Sequence, residues 1–466
     1  MSNTDAGREQ RLGTDKMLPL MMRMALPMVF AQLVNLLYGI IDRIYLGHIE
    51  GIGGDALTGV GISAPVVMLI AAFSSLVGGG GSPLASIALG RAERTEASLI
   101  LNNGAFMLVA VAVPLTLLPF PFMEEILRFA GASDTTLVYA EEYLSVYLLG
   151  TVFVLLCTGL NMIISCQGRP GIAMLSVVIG AVLNIALDPI FIFALDMGVG
   201  GAAIATVISQ AVSAVWVVGF LLSKKRTVRL LGGFMKIRPD IIGKISALGV
   251  APFIMAATES VVGFALNGQL LAYGSDSHVG ALAVMQSAMQ AVSVPLIGFG
   301  QGIMPIISYN FGHRRPDRVK ECYKFALIIM FTFNLIGMLF MISFPKTIAG
   351  IFTEDREIRA IVIEYLPLFL TGMTIFGLQR CCQNTFVALG QARISLFIAL
   401  LRKIILLVPL AIILPRFLGV AGVYTAEAVA DGTAAILCTT IFCIMFPRIL
   451  SEKSGGEDIP VAEQKE

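Results

Sequence analysis

The chain has 466 residues, of which 57% are hydrophobic and only 14% charged. No soluble domain of this length needs so much apolar surface, so the composition reads as an all-α polytopic membrane protein. A net charge of +1 carries no global nucleic-acid signature, and no nucleic-acid partner is expected.

Met1 to Lys16 is polar and charged, with no apolar core behind a basic start. No cleavable signal peptide is expected, and the first span serves as its own insertion signal. Twelve apolar spans follow, near residues 18–46, 55–90, 96–120, 136–165, 170–195, 199–222, 244–274, 280–312, 318–344, 358–388, 393–414 and 419–446. Several exceed the ~20 residues needed to cross a bilayer, which predicts tilt or extension beyond it. The expected organisation is a tail over 1–16, a six-span lobe over 17–222, a basic linker over 223–243, a second six-span lobe over 244–447 and a tail over 448–466.

Charge sets the orientation. The loop after the sixth span carries Lys224, Lys225, Arg226, Arg229, Lys236 and Arg238, and the corner after the eighth carries Arg314, Arg315 and Arg318. Leu46 to Asp55 and Ala194 to Gly201, on the opposite side, have no Lys or Arg. The basic segment from Lys346 to Arg359 is the exception, and there Glu354, Asp355 and Glu357 match it. The positive-inside rule therefore predicts that both termini are cytoplasmic.

The two halves repeat. Gly90-Arg91 matches Gly312-His313. Pro83 and Ser86 match Pro305 and Ser308 at the same offset, as Glu142-Tyr143-Leu144 matches Glu364-Tyr365-Leu366 and Gly168 matches Gly390. Six spans return the chain to its starting side, so the lobes share one orientation. They should be related by a pseudo-two-fold axis along the membrane normal. The glycine run Gly78-Gly79-Gly80-Gly81 has no preceding strand and no following GK[ST], so it is not a phosphate loop. It and its partner Gly298-Phe299-Gly300-Gln301-Gly302 suit close helix packing or a bent span.

Polar residues inside the spans are few. In the first, Pro27 removes one helix hydrogen bond and offers a hinge. Asn35, Tyr38 and Asp42 share one face of that helix. The fifth span holds Asn184 and Asp188 four apart, and the sixth holds Thr206, Gln210 and Ser213. Asp42 and Asp188 each follow a basic residue by ~28 Å of helix, which puts them at similar depth. Carboxylates at such a depth cost ~3 kcal/mol or more. Two of them together cannot both stay ionised cheaply, so the pair should take up a proton or a metal cation. Asn184 and Thr206 add neutral oxygens that suit Na⁺. The inert alternative is a protonated Asp188 hydrogen-bonded to Asn184.

The second half lacks this acidic pair. Glu259 sits in the middle of the seventh span, and Glu427 and Asp431 lie four apart in the twelfth. A carboxylate here could hold a cationic substrate. Alternatively, Arg402 or Lys403 neutralises it as a structural pair. The seven cysteines show no CxxC spacing and no paired His, and they read as small buried hydrophobes. Met24, Met28 and Met285 are candidates to line a promiscuous cavity.

Together the two six-span halves, the doubled Gly-Arg and Gly-His corners, Cys166-Gln167-Gly168-Arg169-Pro170 and Asn184-Ile185-Ala186-Leu187-Asp188-Pro189 resemble the multidrug and toxic compound extrusion (MATE) family. The likeness spans Lys16 to Pro447 and looks closest to the DinF-like or MepA-like branch. It implies a V-shaped pair of lobes in the plasma membrane of a prokaryote. It also implies alternating access, with export of diverse, often cationic, compounds in exchange for Na⁺ or H⁺, and no cofactor beyond that ion. By resemblance, Asp42, Asn184, Asp188 and Thr206 match a coupling-ion cluster, and Tyr143 matches a network tyrosine. Asn35 and Asn161 match cavity positions, with Tyr38, Gln210, Glu259 and Asp431 as further cavity candidates. Drugs or organic cations and the bilayer are the expected partners, and a monomer the expected state.

The alternative is a lipid-linked oligosaccharide flippase of the same superfamily. Such a protein should present intramembrane Arg or Lys along its central cavity, whereas the first-half spans offer carboxylates and amides with only Arg43 near. An enzyme is not expected: HExxH, GxSxG and Walker A motifs are absent.

Overall fold

The computed structural model describes residues 10–223, 228–230 and 237–454, the side chains of 260, 261, 264 and 452–454 excepted. Every regular element among them is a helix. The first lobe consists of α1 (Met17–Gly47), α2 (Gly53–Gly90), α3 (Arg94–Leu117), α4 (Met123–Phe129), α5 (Asp134–Leu149), α6 (Thr151–Cys166), α7 (Pro170–Pro189) and α8 (Gly198–Leu222). The second consists of α9 (Pro239–Tyr273), α10 (Asp276–Gly312), α11 (Pro316–Ser343), α12 (Pro345–Phe352), α13 (Arg356–Thr371), α14 (Phe376–Ala388), α15 (Ala392–Leu400), α16 (Val408–Ile413), α17 (Pro415–Leu418) and α18 (Val420–Ser454). Among the described residues eleven helices are long and apolar enough to cross a membrane, and α5 with α6, bent by 58°, makes twelve if that pair is one span.

Local chemistry sets the ends. Pro170, Pro239 and Pro316 open α7, α9 and α11, where a missing N–H costs nothing. The seventh span therefore starts at Pro239, inside the stretch expected to be linker. The last helix runs to Ser454, past the expected end at 447. Linker residues 224–227 and 231–236, with Lys224, Lys225, Arg226 and Lys236, lie outside the described residues. Ahead of α1, the expected tail forms a helical turn over 10–14 with Leu12 buried. Asn310 and Arg315 donate to the carbonyls of Leu12 (2.9 Å) and Gly13 (2.9 Å), tying that turn to the other lobe.

The repeat is visible in backbone detail. The fourth span bends at Gly150, between α5 and α6, and the tenth breaks at Gly372, where a 3₁₀ turn covers Gly372–Ile375. Left-handed corners come in pairs: Ala92 with Arg314 (φ 61° and 56°), Gly168 with Gly390 (72° and 73°), and Gly198 with Gly419 (53° and 59°). Asn161 donates to the Ala173 carbonyl (3.0 Å), and Gln383, its partner in the repeat, donates to the Ser395 carbonyl (3.0 Å). Each bond fastens one span to the next in its own lobe.

The lobes meet through glycines. α2 packs along α9, and α1 packs along α10. A methyl group added at Gly90 would strike the Tyr309 carbonyl, and one at Gly312 would strike the Ile87 carbonyl. Gly80 faces Ile245 as Gly302 faces Ala25, and Gly249 faces Leu76 as Gly298 faces Val29. These contacts are reciprocal, as a two-fold axis between the lobes demands. α2 runs unbroken through its glycine run, and Gly78, Gly79 and Gly80 each lie in close approach to a neighbouring helix. His313 Nδ1 also meets the Gly90 carbonyl at 2.9 Å. All these approaches lie in the helix halves next to the basic corners. The lobes are thus closed together at the basic end.

Candidate functional site

Two polar sites emerge, one inside the first lobe and one between the lobes. The first is built by α1, α5, α7 and α8. Packing of α7 against α8 brings Asn184 onto Thr206, and helix spacing stacks it over Asp188. Asn184 Nδ2 donates to Asp188 Oδ1 (3.0 Å) and Thr206 Oγ1 (3.3 Å). Asp188 is fully buried, and Asn184, Thr206 and Tyr143 are nearly so. Tyr143 neighbours Thr206 and Asp42. Tyr38 neighbours Asp42 and Asp188. Asp42, Asn184, Asp188, Thr206, Tyr143 and Tyr38 therefore form one cluster.

Its acceptors outnumber its donors. Asp42 Oδ1, Asn184 Oδ1 and Asp188 Oδ2 are all buried without a hydrogen-bond partner. Buried acceptors are normally satisfied, so three orphans in one place need an explanation. A proton or a hard cation would satisfy them, because both are drawn to clustered oxygens. Asn184 already has the orientation that this requires. Its amide nitrogen is spent on Asp188 and Thr206, which leaves its oxygen free to accept.

Other expected positions fall elsewhere. Asn35 is exposed, and Gln210 is half-buried on α8. Asn161 spends its amide on the Ala173 carbonyl and on Ser176 Oγ (2.7 Å) as an interhelix tie. None of these three lines the inter-lobe cavity.

That cavity, of about 360 Å³, begins where the glycine contacts end. Its first-lobe wall is Met28, Ser75, Gly78, Gly79, Ser82, Met162 and Ser165, without a charge. Met28 is the one methionine of the three expected that faces it. Its second-lobe wall carries Glu259, Arg380 and Arg402. Lys403 Nζ donates to Glu259 Oε2 (3.1 Å), and Arg402 Nε donates to Asp431 Oδ1 (2.5 Å). Glu427 lies 3.9 Å from Arg402. Asp431, expected in the cavity, is instead fully buried behind Arg402, because a carboxylate at this depth is stable only against a cation. The structural-pair alternative thus describes Asp431 and Glu427. Glu259 is both paired and cavity-facing.

Arg380 was missed. A lone arginine inside the tenth span, in a stretch that also carries Gln379, Gln383 and Asn384, was the available signal. In the repeat, moreover, Glu427 and Asp431 stand where the first lobe has Thr206 and Gln210. The same scaffold thus holds an acidic cluster in one lobe and a mixed ionic one in the other.

The multidrug export protein MepA of Staphylococcus aureus (strain MSSA476) is 25% identical over 434 residues, covering 93% of this chain and 95% of its own. MepA of Staphylococcus haemolyticus is 24% identical over 435 residues with the same coverage. A crystal structure of a MATE protein in its bent conformation superposes with a TM-score of 0.89 at 25% identity, covering 96% of this chain and 99% of that one. A multidrug resistance MATE family transporter of the MOP superfamily, solved facing outward, gives 0.85 at 24% identity, covering 93% and 96%. The sequence model of the MatE family matches twice, over residues 27–190 and 252–413, once for each lobe. The chain is therefore a multi-pass membrane transporter that belongs to the MatE, or multidrug and toxic compound extrusion, family.

Proposed function

We propose that this protein is a secondary multidrug antiporter that exports organic compounds in exchange for Na⁺ or H⁺. The observation that carries the reading is the first-lobe cluster, with two carboxylates, three orphaned oxygens and, among the described residues, no lysine or arginine in an ion pair with either carboxylate. In this reading the basic corners are cytoplasmic, and closure of the lobes there makes this the outward-facing state. Asp42 and Asp188 take up the ion from outside. Asn184 and Thr206 complete its shell, and loading favours one packing of α1, α7 and α8 while drug loading favours another. Antiport follows only if ion and drug differ in their affinity for those two packings.

The flippase alternative called for basic residues along the cavity, and Arg380 and Arg402 do stand there. Two points weigh against it. Arg402 is committed to Asp431, and the cavity volume suits a drug-sized molecule and not a lipid-linked oligosaccharide. The relatives named as multidrug exporters also support the antiport reading. The test is expression in an efflux-deficient bacterium. Ethidium should leave the cells against its gradient and stop leaving when the Na⁺ and H⁺ gradients are collapsed. Export that ignores both gradients would refute the reading.

α1 runs unbroken through Pro27, which removes one of its internal hydrogen bonds. If that defect lets α1 bend beside Asp42 during the cycle, Pro27→Ala should slow turnover by roughly tenfold, the effect of ~1.4 kcal/mol on a barrier, with expression and melting temperature unchanged. Full turnover in the variant removes the hinge.

A further inference from the structure

The charges on the second-lobe wall do not cancel one by one. Lys403 is committed to Glu259, and Arg402 to Asp431 and Glu427. Arg380 is left over. Among the described residues no carboxylate lies within ion-pair distance of its guanidinium, and its buried Nε donates to no acceptor. Its guanidinium stands over the face of Phe376, 5.3 Å away, with Arg402 over the same ring at 4.3 Å, and Glu259 and Asp431 act on it only from beyond ion-pair distance. Yet Arg380 lines the cavity.

An unpaired guanidinium at membrane depth is costly, and such groups normally find an anion or water. The fork of a guanidinium matches the two oxygens of a carboxylate. The rest of the cavity suits the other end of such a ligand. Met28, Met162, Met255 and Met304 offer polarizable thioethers on both lobes, which pack against flat apolar bodies of varied shape. The first-lobe wall brings no carboxylate to repel an acid. Glu259, the one acidic lining residue, is held by Lys403 and dictates only that the acid point toward Arg380.

We propose that the inter-lobe cavity binds amphipathic organic anions, with their carboxylate on Arg380 and their apolar body on the methionines. The proposal rests on the reading of this cavity as the drug path and extends its substrates beyond cations.

The probe pair is dansylglycine and dansylglycinamide, which share one body and differ in one charge. Wild-type protein in nanodiscs should bind the acid about tenfold or more tightly than the amide, as a buried charge-assisted pair requires. Arg380→Gln should abolish that preference, and because it takes a like charge away from a cation in the same cavity it should not weaken ethidium binding. Equal binding of acid and amide by the wild type overturns the proposal, as does a preference that survives Arg380→Gln. Should that variant not fold, Arg380→Lys keeps the charge but loses the fork, so it must lower the preference. An unchanged preference there also overturns the proposal. Failure of the antiport reading looks different: the wild type would show no energy-dependent ethidium export at all, whatever the acid does.

Discussion

Asp188→Asn is expected to abolish ion-driven efflux, bringing ethidium export down to that of cells without the protein. Asp188 is fully buried, with Oδ1 taken by Asn184 and Oδ2 facing no donor. The substitution removes the charge that a proton or cation would neutralise. A charge-assisted contact of this kind is worth ~1.5–3 kcal/mol, so ion affinity should fall by about ten- to a hundredfold. An antiporter that cannot load its ion cannot return to the state that collects drug. Asp42→Asn should act nearly as strongly, because its orphaned Oδ1 belongs to the same cluster. Drug binding to either purified variant should survive, with its dependence on pH or Na⁺ lost. Asn184→Ala separates the two ions. It should harm a Na⁺-coupled transporter more, because only the metal needs that extra oxygen. If Asp188→Asn still pumps ethidium uphill with unchanged ion dependence, the first-lobe cluster is the wrong site, and Glu259 becomes the first place to look.

The first-lobe cluster was legible because its signal is local. A carboxylate inside an apolar span is rare and costly, and Asn184 and Asp188 announce a shared face by spacing alone. The doubled corners likewise exposed the repeat, and the left-handed residues at those corners have nearly the same φ in both halves. The second lobe was harder, because its signal is a matter of partners. Nothing in the spacing says that Asp431 is taken by Arg402 while Glu259 is taken by Lys403. That assignment depends on how α18 and α9 pack around the π-helical turn at Leu401–Leu407, which rotates two consecutive basic residues onto different neighbours. Arg380 escaped for the same reason. An arginine in a span is informative only once every carboxylate within reach has been shown to belong to another cation. The bends at Gly150 and Gly372 also lay beyond a hydropathy reading, which sees each span as one apolar run.

Gly249→Ala is expected to open the lobes at their basic end. The added methyl would land on the Leu76 carbonyl of α2, and backbone cannot turn aside as a side chain can. α2 and α9 must then separate along their length, or the lobes must stop meeting. The strain falls only on the closed packing, since the other packing of an alternating-access cycle parts these helices. Selective strain of this kind shifts a population: ~1.4 kcal/mol shifts it tenfold, and ~5.5 kcal/mol reverses a 99:1 preference. Gly298→Ala tests the reciprocal contact, where the methyl would come within 2.6 Å of the Val29 Cα. A single cysteine at Ser82, on the cavity wall, reports the change. In a background free of other reactive cysteines it should label from the cytoplasmic side about tenfold or more faster in either variant, the shift that ~1.4 kcal/mol of strain produces. Transport should fall in proportion, because the packing closed at the basic end, outward-facing in the antiport reading, is then seldom visited. Gly268→Ala is the control on the same helix: its methyl would meet nothing within 4 Å, so labelling and transport should both stay unchanged. Slow labelling in Gly249→Ala and Gly298→Ala, with normal transport, would mean that the glycine contacts only fill space. Closure would then have to come from the His313–Gly90 bond and the turn over 10–14 that Asn310 and Arg315 hold across the lobes.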